Sequence, residues 1–247
     1  MKVLSLDTAA HTASVCVCSF DGSSFAVLSL ARINNTLTHS ESLLPMIDFC
    51  IKSAGLSFSD IDAGVISAGP GSFTGVRIGI STLKGLAFGK DFPCVPVSTL
   101  ASLAENVSSC KEGSVIFPLM DARRDQFYNA VFEEVSGIGK KRLNADRAES
   151  FEFLSNELEE KYKGKDIFLV GDGAKLFYTL CEKSGKNLKN LILCPEAILY
   201  EDAFSSALAA KDVFISGNFE NYTAEKLQPV YLRVSQAERE RAQKESH

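Results

Sequence analysis

Tryptophan is absent from the 247 residues, and histidine and methionine occur three times each. The histidines, at 11, 39 and 247, form no HxxxH, HxH or HExxH, and four residues after His39 stands Leu43. That spacing argues against a histidine-built metal site. A Ser/His/Asp catalytic set would have to use His11 or His39 with no GxSxG nearby. Seven cysteines make an odd count, and the close pair, Cys16 and Cys18, is a CxC and not a CxxC. A disulfide framework and a zinc ribbon both fail on spacing, and the thiols read as core residues of a protein in the reducing cytoplasm. No apolar run approaches the roughly 18 residues of a membrane span, and Asp7 interrupts the short apolar run at the N-terminus, so neither a signal peptide nor a membrane helix is expected. An excess of positive charge is also missing. With 26 Lys and Arg against 31 Asp and Glu, the net charge is −5. A nucleic acid would have to be reached through a local patch or another subunit.

What is present is ordinary for a folded chain: 45% hydrophobic and 23% charged residues, at a mean hydropathy of +0.04. The length suits one large domain or two small ones. Strand-like runs at 3–8, 13–20 and 24–31, with Asp21-Gly22 as a hairpin turn, predict an antiparallel meander. A helix over 40–54 follows, with Leu43, Leu44, Ile47, Ile51 and Ala54 on one face, Thr38 and Glu41 in capping-box spacing, and Pro45 near its first turn or kinking it. Strands at 63–68 and 94–97 alternate with helices at 72–88 and 98–107, which implies a mixed sheet covered by helices.

Past Cys110 the plan restarts. Strands are expected at 114–122, 126–133, 140–144 and 166–170, and helices at 151–161 and 174–183. LSLDTAAHTASVCVCSFDG, from Leu4, parallels PLMDARRDQFYNAVFEEVSG, from Pro118, so that Asp7 corresponds to Asp121. This points to an internal duplication. We expect subdomains at 1–108 and 109–220, with 221–247 returning to the first and a charged tail from Ser235 that frays. A duplicated unit with an aspartate at its first turn is the layout of the actin-like phosphotransfer folds. Asp7 and Asp121 are then either metal- or phosphate-side groups or simple turn caps. The turn at Gly171-Asp172-Gly173 likewise reads either as an adenosine-side loop or as plain turn chemistry.

The segment SAGPGSFTGVRIG, from Ser67 to Gly79, is neither GxxxxGK[ST] nor GxGxxG, which sets aside the P-loop and Rossmann readings. Ser72 is a good N-cap, and the helix behind it has two stripes. Phe73, Val76, Ile80, Leu83 and Ala87 form one, and Gly75, Gly79, Thr82 and Leu86 the other. Since each helical glycine costs about 1 kcal/mol, something should approach closely on the second stripe. That is either a partner helix or the chain's own fold.

The strings LSLDTA (4–9), HSESLLP (39–45), AGPGSFTGVRIGIS (68–81), GLAFG (85–89), VSTLASLA (97–104), MDARRDQFYNAVF (120–132), VGDGA (170–174) and PVYLR (229–233) together resemble the bacterial TsaB (YeaZ) family over nearly the whole chain. The resemblance implies an α/β protein of actin-like ATPase (ribonuclease H-like) fold, with two similar subdomains, each a mixed sheet flanked by helices. It implies a non-catalytic subunit of the machinery that makes N6-threonylcarbamoyladenosine in tRNA. Such a subunit pairs with a TsaD-type transferase, recruits a TsaE-type ATPase and meets tRNA only through the complex, with a homodimer as another use of the same face. It further implies no tightly bound cofactor or metal, with ATP acting at the level of the complex. Nucleotide-side residues would be Asp7, Asp121, Gly171 and Gly173. The partner face would use His39, Leu43, Ile47, Gly71, Phe73, Gly75, Arg77, Gly79, Thr82 and Leu86. Where TsaD has a metal-binding HxxxH, this chain has His39 and Leu43, which disfavours the alternative of a stand-alone glycopeptidase. A small-molecule kinase of the same fold is the harder alternative to set aside.

Overall fold

Val3, Leu4 and Leu6 make the run from Lys2 to Asp7 a strand because each is fully buried, on a sheet covered on both faces. The computed structural model describes residues 1–34, 38–186 and 188–233; the expected frayed tail from Ser235 lies outside them. Strands β1 (Lys2–Asp7), β2 (Ala13–Phe20) and β3 (Phe25–Ile33) form the meander. Its second turn is tied by Asp21, whose carboxylate accepts from the amides of Ser23 and Ser24, both at 2.8 Å. After helix α1 (His39–Ser53), strand β4 (Ala63–Ser67) pairs with β1 in parallel. Helix α2 (Phe73–Ala87) then leads to β5 (Cys94–Val97), which is parallel to β4, and helix α3 (Thr99–Glu105) follows.

Both expected cap signals operate. The Glu41 carboxylate accepts from the amide and hydroxyl of Thr38, and Ser72 accepts from the amide of Gly75 at 3.2 Å. Pro45 sits inside α1.

The second half repeats the first. Strands β6 (Val115–Asp121), β7 (Gln126–Asn129), β8 (Phe132–Val135), β9 (Gly139–Arg142) and β10 (Arg147–Ser150) precede helix α4 (Phe151–Lys161). Strand β11 (Ile167–Val170), helix α5 (Ala174–Ser184) and strand β12 (Leu191–Leu193) complete it. The first sheet runs β3-β2-β1-β4-β5 and the second β10-β7-β6-β11-β12, with β8 and β9 added antiparallel beside β6, so each places antiparallel strands beside two parallel ones. This is the actin-like architecture. The strand expected at 126–133 is two, because the pairing with β6 breaks between Asn129 and Phe132. The strand expected at 140–144 forms at Gly139–Arg142.

Helices α6 (Glu196–Leu199), α7 (Ala203–Ala209) and α8 (Lys211–Ser216) follow. The expected boundary at 220 is corrected here. Ala203, Ala207, Ala210 and Phe214 cover Val3, Cys16, Cys18 and Val65 of the first sheet, so the chain returns to the first half at α7. The spacing of two puts Cys16 and Cys18 on that face, where its neighbour Cys18 and burial push the Cys16 thiol upward. The opposite face of the sheet, with Leu4, Leu6, Val15 and Val17, packs under α1 and α2. Leu100, Leu103 and Ala104 of α3 extend this core without a break to Phe117 and Leu119 of the second half.

Candidate functional site

Between the two halves lies a cavity of about 740 Å³. The first half contributes three segments. These are Ala9–His11 of the β1–β2 turn, Thr38 and His39 at the start of α1, and the N-terminal turn of α2 from Gly71 to Gly75. Facing them are Met120–Arg124 of the β6–β7 turn, Tyr128 and Asp172, with Arg233 arriving from the C-terminal segment.

The α2 turn is anchored by its entry: the Ser72 amide donates to the Ala9 carbonyl at 2.7 Å, and a Cβ on Gly71 would lie 2.3 Å from that carbonyl oxygen. Three arginines, at 123, 124 and 233, and the N-terminal end of α2 give the cavity groups that favour an anion. Asp121 is occupied locally. Its carboxylate accepts from the Arg123 amide at 2.7 Å and stands 3.7 Å from the Arg123 guanidinium. Asp172 accepts from the Asp121 amide at 3.1 Å. Burial, with the charge of Asp121 adding to it, pushes Asp172 up to about 6. His39 Nε2 lies 2.7 Å from the Ala10 carbonyl and donates to it, which ties this side of the ring to the β1–β2 turn. Among the described residues no group of three histidines, cysteines or carboxylates could hold a metal ion.

The two duplicated aspartates therefore differ. Asp121 lines the cavity, whereas Asp7 is completely buried beneath it. Asp7 accepts from the Ala9 amide at 3.0 Å and from the hydroxyls of Ser67 and Ser206 at 2.5 and 3.4 Å. Burial pushes its carboxyl up to about 6. The serines of β4 and α7 close over it, so that it does not line the cavity. Gly171 and Gly173 are closely packed as well. A Cβ on Gly171 would lie 2.2 Å from the Leu119 carbonyl, and one on Gly173 2.9 Å from the Met120 carbonyl carbon. Both serve close packing on β6, and of that turn only Asp172 reaches the cavity.

Near Asp7 and Asp172 in the field they share, Glu201 is buried, and among the described residues neither carboxyl oxygen has a hydrogen-bond partner. Burial first, then the charges of Asp172 and Asp7, push it well up. No sequence signal marked it.

The expected partner residues divide. Leu43 and Ile47 are 1% and 3% exposed and belong to the chain's own core, so they are corrected. Gly75 and Gly79 do admit a close neighbour, but it is internal: added Cβ atoms would lie 2.1 Å from the Thr8 carbonyl oxygen and 2.4 Å from Thr8 Oγ1. Gly71 packs on Ala9, and His39 bonds to Ala10. Phe73, Thr82 and Leu86 are half-buried and Arg77 is exposed. The outer arc of α1 carries Leu44 and Phe49, 55% and 58% exposed, and Phe88, at the end of α2, is 91% exposed. Leu44 was expected on the apolar face with Leu43 and is corrected, since it turns outward, whereas the signal for Phe49 was available, an apolar residue off the buried stripe.

The family model for tRNA N6-adenosine threonylcarbamoyltransferase, TsaD, matches residues 34–240. The Escherichia coli protein named tRNA threonylcarbamoyladenosine biosynthesis protein TsaB is 30% identical over 236 residues, 94% of this chain and 95% of that one. The Haemophilus influenzae protein of the same name is 29% identical over 74% of this chain and 77% of its own length. Among solved structures, YeaZ from Pseudomonas aeruginosa superposes with a TM-score of 0.73 at 26% identity, covering 94% of this chain and 99% of that one. The sequence match, its coverage and the shared two-sheet architecture place this chain in the TsaB (YeaZ) branch of the TsaD family.

Proposed function

We propose that this chain is a non-catalytic subunit in the biosynthesis of threonylcarbamoyladenosine in tRNA, acting in the cytoplasm as the partner and scaffold of a TsaD-type transferase. The observation that carries the reading is the pair His39 and Leu43. At the spacing where the catalytic paralogue places two metal-binding histidines, the first is bonded to the Ala10 carbonyl and the second is a leucine packed in the core. The exposed apolar arc of α1, together with the outer face of α2, supports a docking surface of two adjacent helices. A TsaE-type ATPase would be recruited by the assembled pair, tRNA would be met through the complex, and in the absence of the transferase the same face would close a homodimer. ATP would act at the level of the complex, with no cofactor held tightly by this chain.

The test is reconstitution. The chain is co-purified with a TsaD-type protein, and tRNA modification is then assayed with and without it. The expected result is a stable heterodimer and modification that depends on the chain. Full modification in its absence, or ATP or peptide turnover by the chain alone that Asp121→Ala abolishes, would overturn the reading.

A further inference from the structure

One segment of chain runs along the first half and ends at the cavity, where Arg233 joins its lining. It is held to the first half at three points: the Cys94 amide donates to the Tyr222 carbonyl at 2.6 Å, Leu227 is buried, and the Val230 amide donates to the Ala68 carbonyl at 2.7 Å. Gly69 leaves room for it, since a Cβ there would lie 2.3 Å from the Val230 carbonyl oxygen. The ring of Tyr231 then stacks on Phe73 of α2, with centroids 4.4 Å apart and planes at 20°. Arg77 Nε donates to the Tyr231 hydroxyl at 2.6 Å. Two residues later Arg233 reaches the second half, where Nη1 donates to the Ala122 carbonyl at 2.6 Å.

The other hydrogen bonds between the halves, among the described residues, end elsewhere. Arg32 donates to Ala197, Ser98 to Asp146, Ser102 to Asp202, and Asn106 to Ile198 and Tyr200, none of which lines the cavity. Those of Arg233 end on the β6–β7 turn, whose residues Arg123, Arg124 and Asp125 all hold left-handed backbone.

We propose that residues 230–233 form a clasp that couples the outer face of α2 to the cavity. Resting on the reading that this face takes a partner, the mechanism is a competition for Phe73 and Arg77. A partner helix laid along α2 takes these two side chains from Tyr231. The displaced segment withdraws Arg233 from Ala122, and the β6–β7 turn is released from the first half. Docking and cavity opening then share one two-state element, so whatever opens the cavity also favours docking, by reciprocity.

The experiment is hydrogen exchange on the full chain, read at the amides of residues 121–126, together with the affinity for a TsaD-type protein. Arg233→Ala should raise exchange in that turn severalfold while β1 and β4 keep their protection; unchanged exchange in the turn overturns the clasp. Tyr231→Ala should do the same and also tighten partner binding, because displacement no longer opposes docking. Weaker partner binding by Tyr231→Ala overturns the competition. Tyr231→Phe, which keeps the ring and loses only the Arg77 bond, should give a smaller rise and guards against a folding defect. A wild-type chain that binds no TsaD-type partner overturns the proposed function and the docking half of this inference, while the Arg233→Ala exchange still decides whether the clasp exists.

Discussion

The hydroxyl of Thr8 donates to the carbonyl of Gly75 at 2.8 Å, across 67 positions of sequence. This bond lies at the contact for which the glycines of α2 exist. The helix backbone is pressed onto the residue that follows β1, and Gly75 and Gly79 are the positions where a side chain would stand in the way. A helix this close to the β1–β2 turn brings its N-terminal end to the cavity, so the glycine spacing serves the site by way of the fold.

Gly79→Leu should therefore destabilise the isolated chain. Its Cβ alone would meet Thr8 Oγ1 at 2.4 Å and Ile66 Cδ1 at 2.9 Å. Overpacking of this kind costs about 1–3 kcal/mol. For a chain of this size that is a fall in melting temperature of roughly 2–4 °C per kcal/mol, measurable by calorimetry. The same variant, once folded, should keep its affinity for a TsaD-type partner. An unchanged melting temperature with lost affinity would show instead that the glycines face the partner.

Leu44→Glu and Phe49→Glu should have the reverse signature. Both side chains are more than half exposed, so their replacement should leave the melting temperature within about 1–2 °C, as for other surface changes. If they lie at the centre of the docking surface, each should weaken association with a TsaD-type partner by roughly tenfold or more, that is by about 1.4 kcal/mol or more. Scanning calorimetry of the variants checks the first half and titration calorimetry the second.

Stability should fall as the pH rises through weakly acidic values. The folded chain holds the Asp7 proton up to about 6, whereas an unfolded aspartate releases it near 3.8. Between these values the native state binds more protons than the unfolded state, so the unfolding free energy decreases with pH. Asp172, also raised to about 6, and Glu201, raised well above its usual range, act in the same sense. Asp7→Asn keeps an acceptor for the Ala9 amide and removes the titration. It should flatten the fall between pH 4 and pH 6 by an amount on the order of 3 kcal/mol, from about two pKa units. Urea melts of both proteins across that interval measure it, and parallel curves would refute it.

Gly69→Ala should loosen the C-terminal segment specifically. Gly69 has φ +120°, a conformation that side chains rarely adopt, and the added Cβ would collide with the Val230 carbonyl. The combined cost is of order 1–3 kcal/mol. Limited proteolysis should then cut near residues 228–233 while the sheet strands stay resistant. Protection equal to that of the wild type would show that the segment does not depend on this contact.

Features that depend on neighbours in sequence could be read from it. The Asp21-Gly22 turn, the Thr38–Glu41 capping box and the Ser72 cap are each made by residues within a few positions of one another, and each formed as expected. The duplication was visible because two hairpins carry the same pattern, and the matching strand orders of the two sheets repeat it. What escaped was long-range. The glycine spacing announced a close approach, but nothing in it said that the neighbour was Thr8. Asp7 and Asp121 looked equivalent because their local contexts are. They differ through Ser67 and Ser206, which arrive from β4 and α7 to cover only one of them. Helix α7, with its small residues Ala203 and Ala207, shows little amphipathic contrast, so its return to the first sheet could not be inferred. Glu201 was silent for the same reason, since its burial is set by elements far along the chain.

Helix α7 covers the back of a sheet whose last strand ends at Val97, although α7 itself begins only at Ala203. A ribosome delivers the chain in order. All five strands of that sheet are therefore made before the helix that covers Val3, Cys16, Cys18 and Val65, which follows only after the whole second half has been synthesised. In the finished molecule Cys16 and Cys18 are completely buried and out of reach of oxidants. The helix that shields these two neighbouring thiols is thus made long after the strands that carry them.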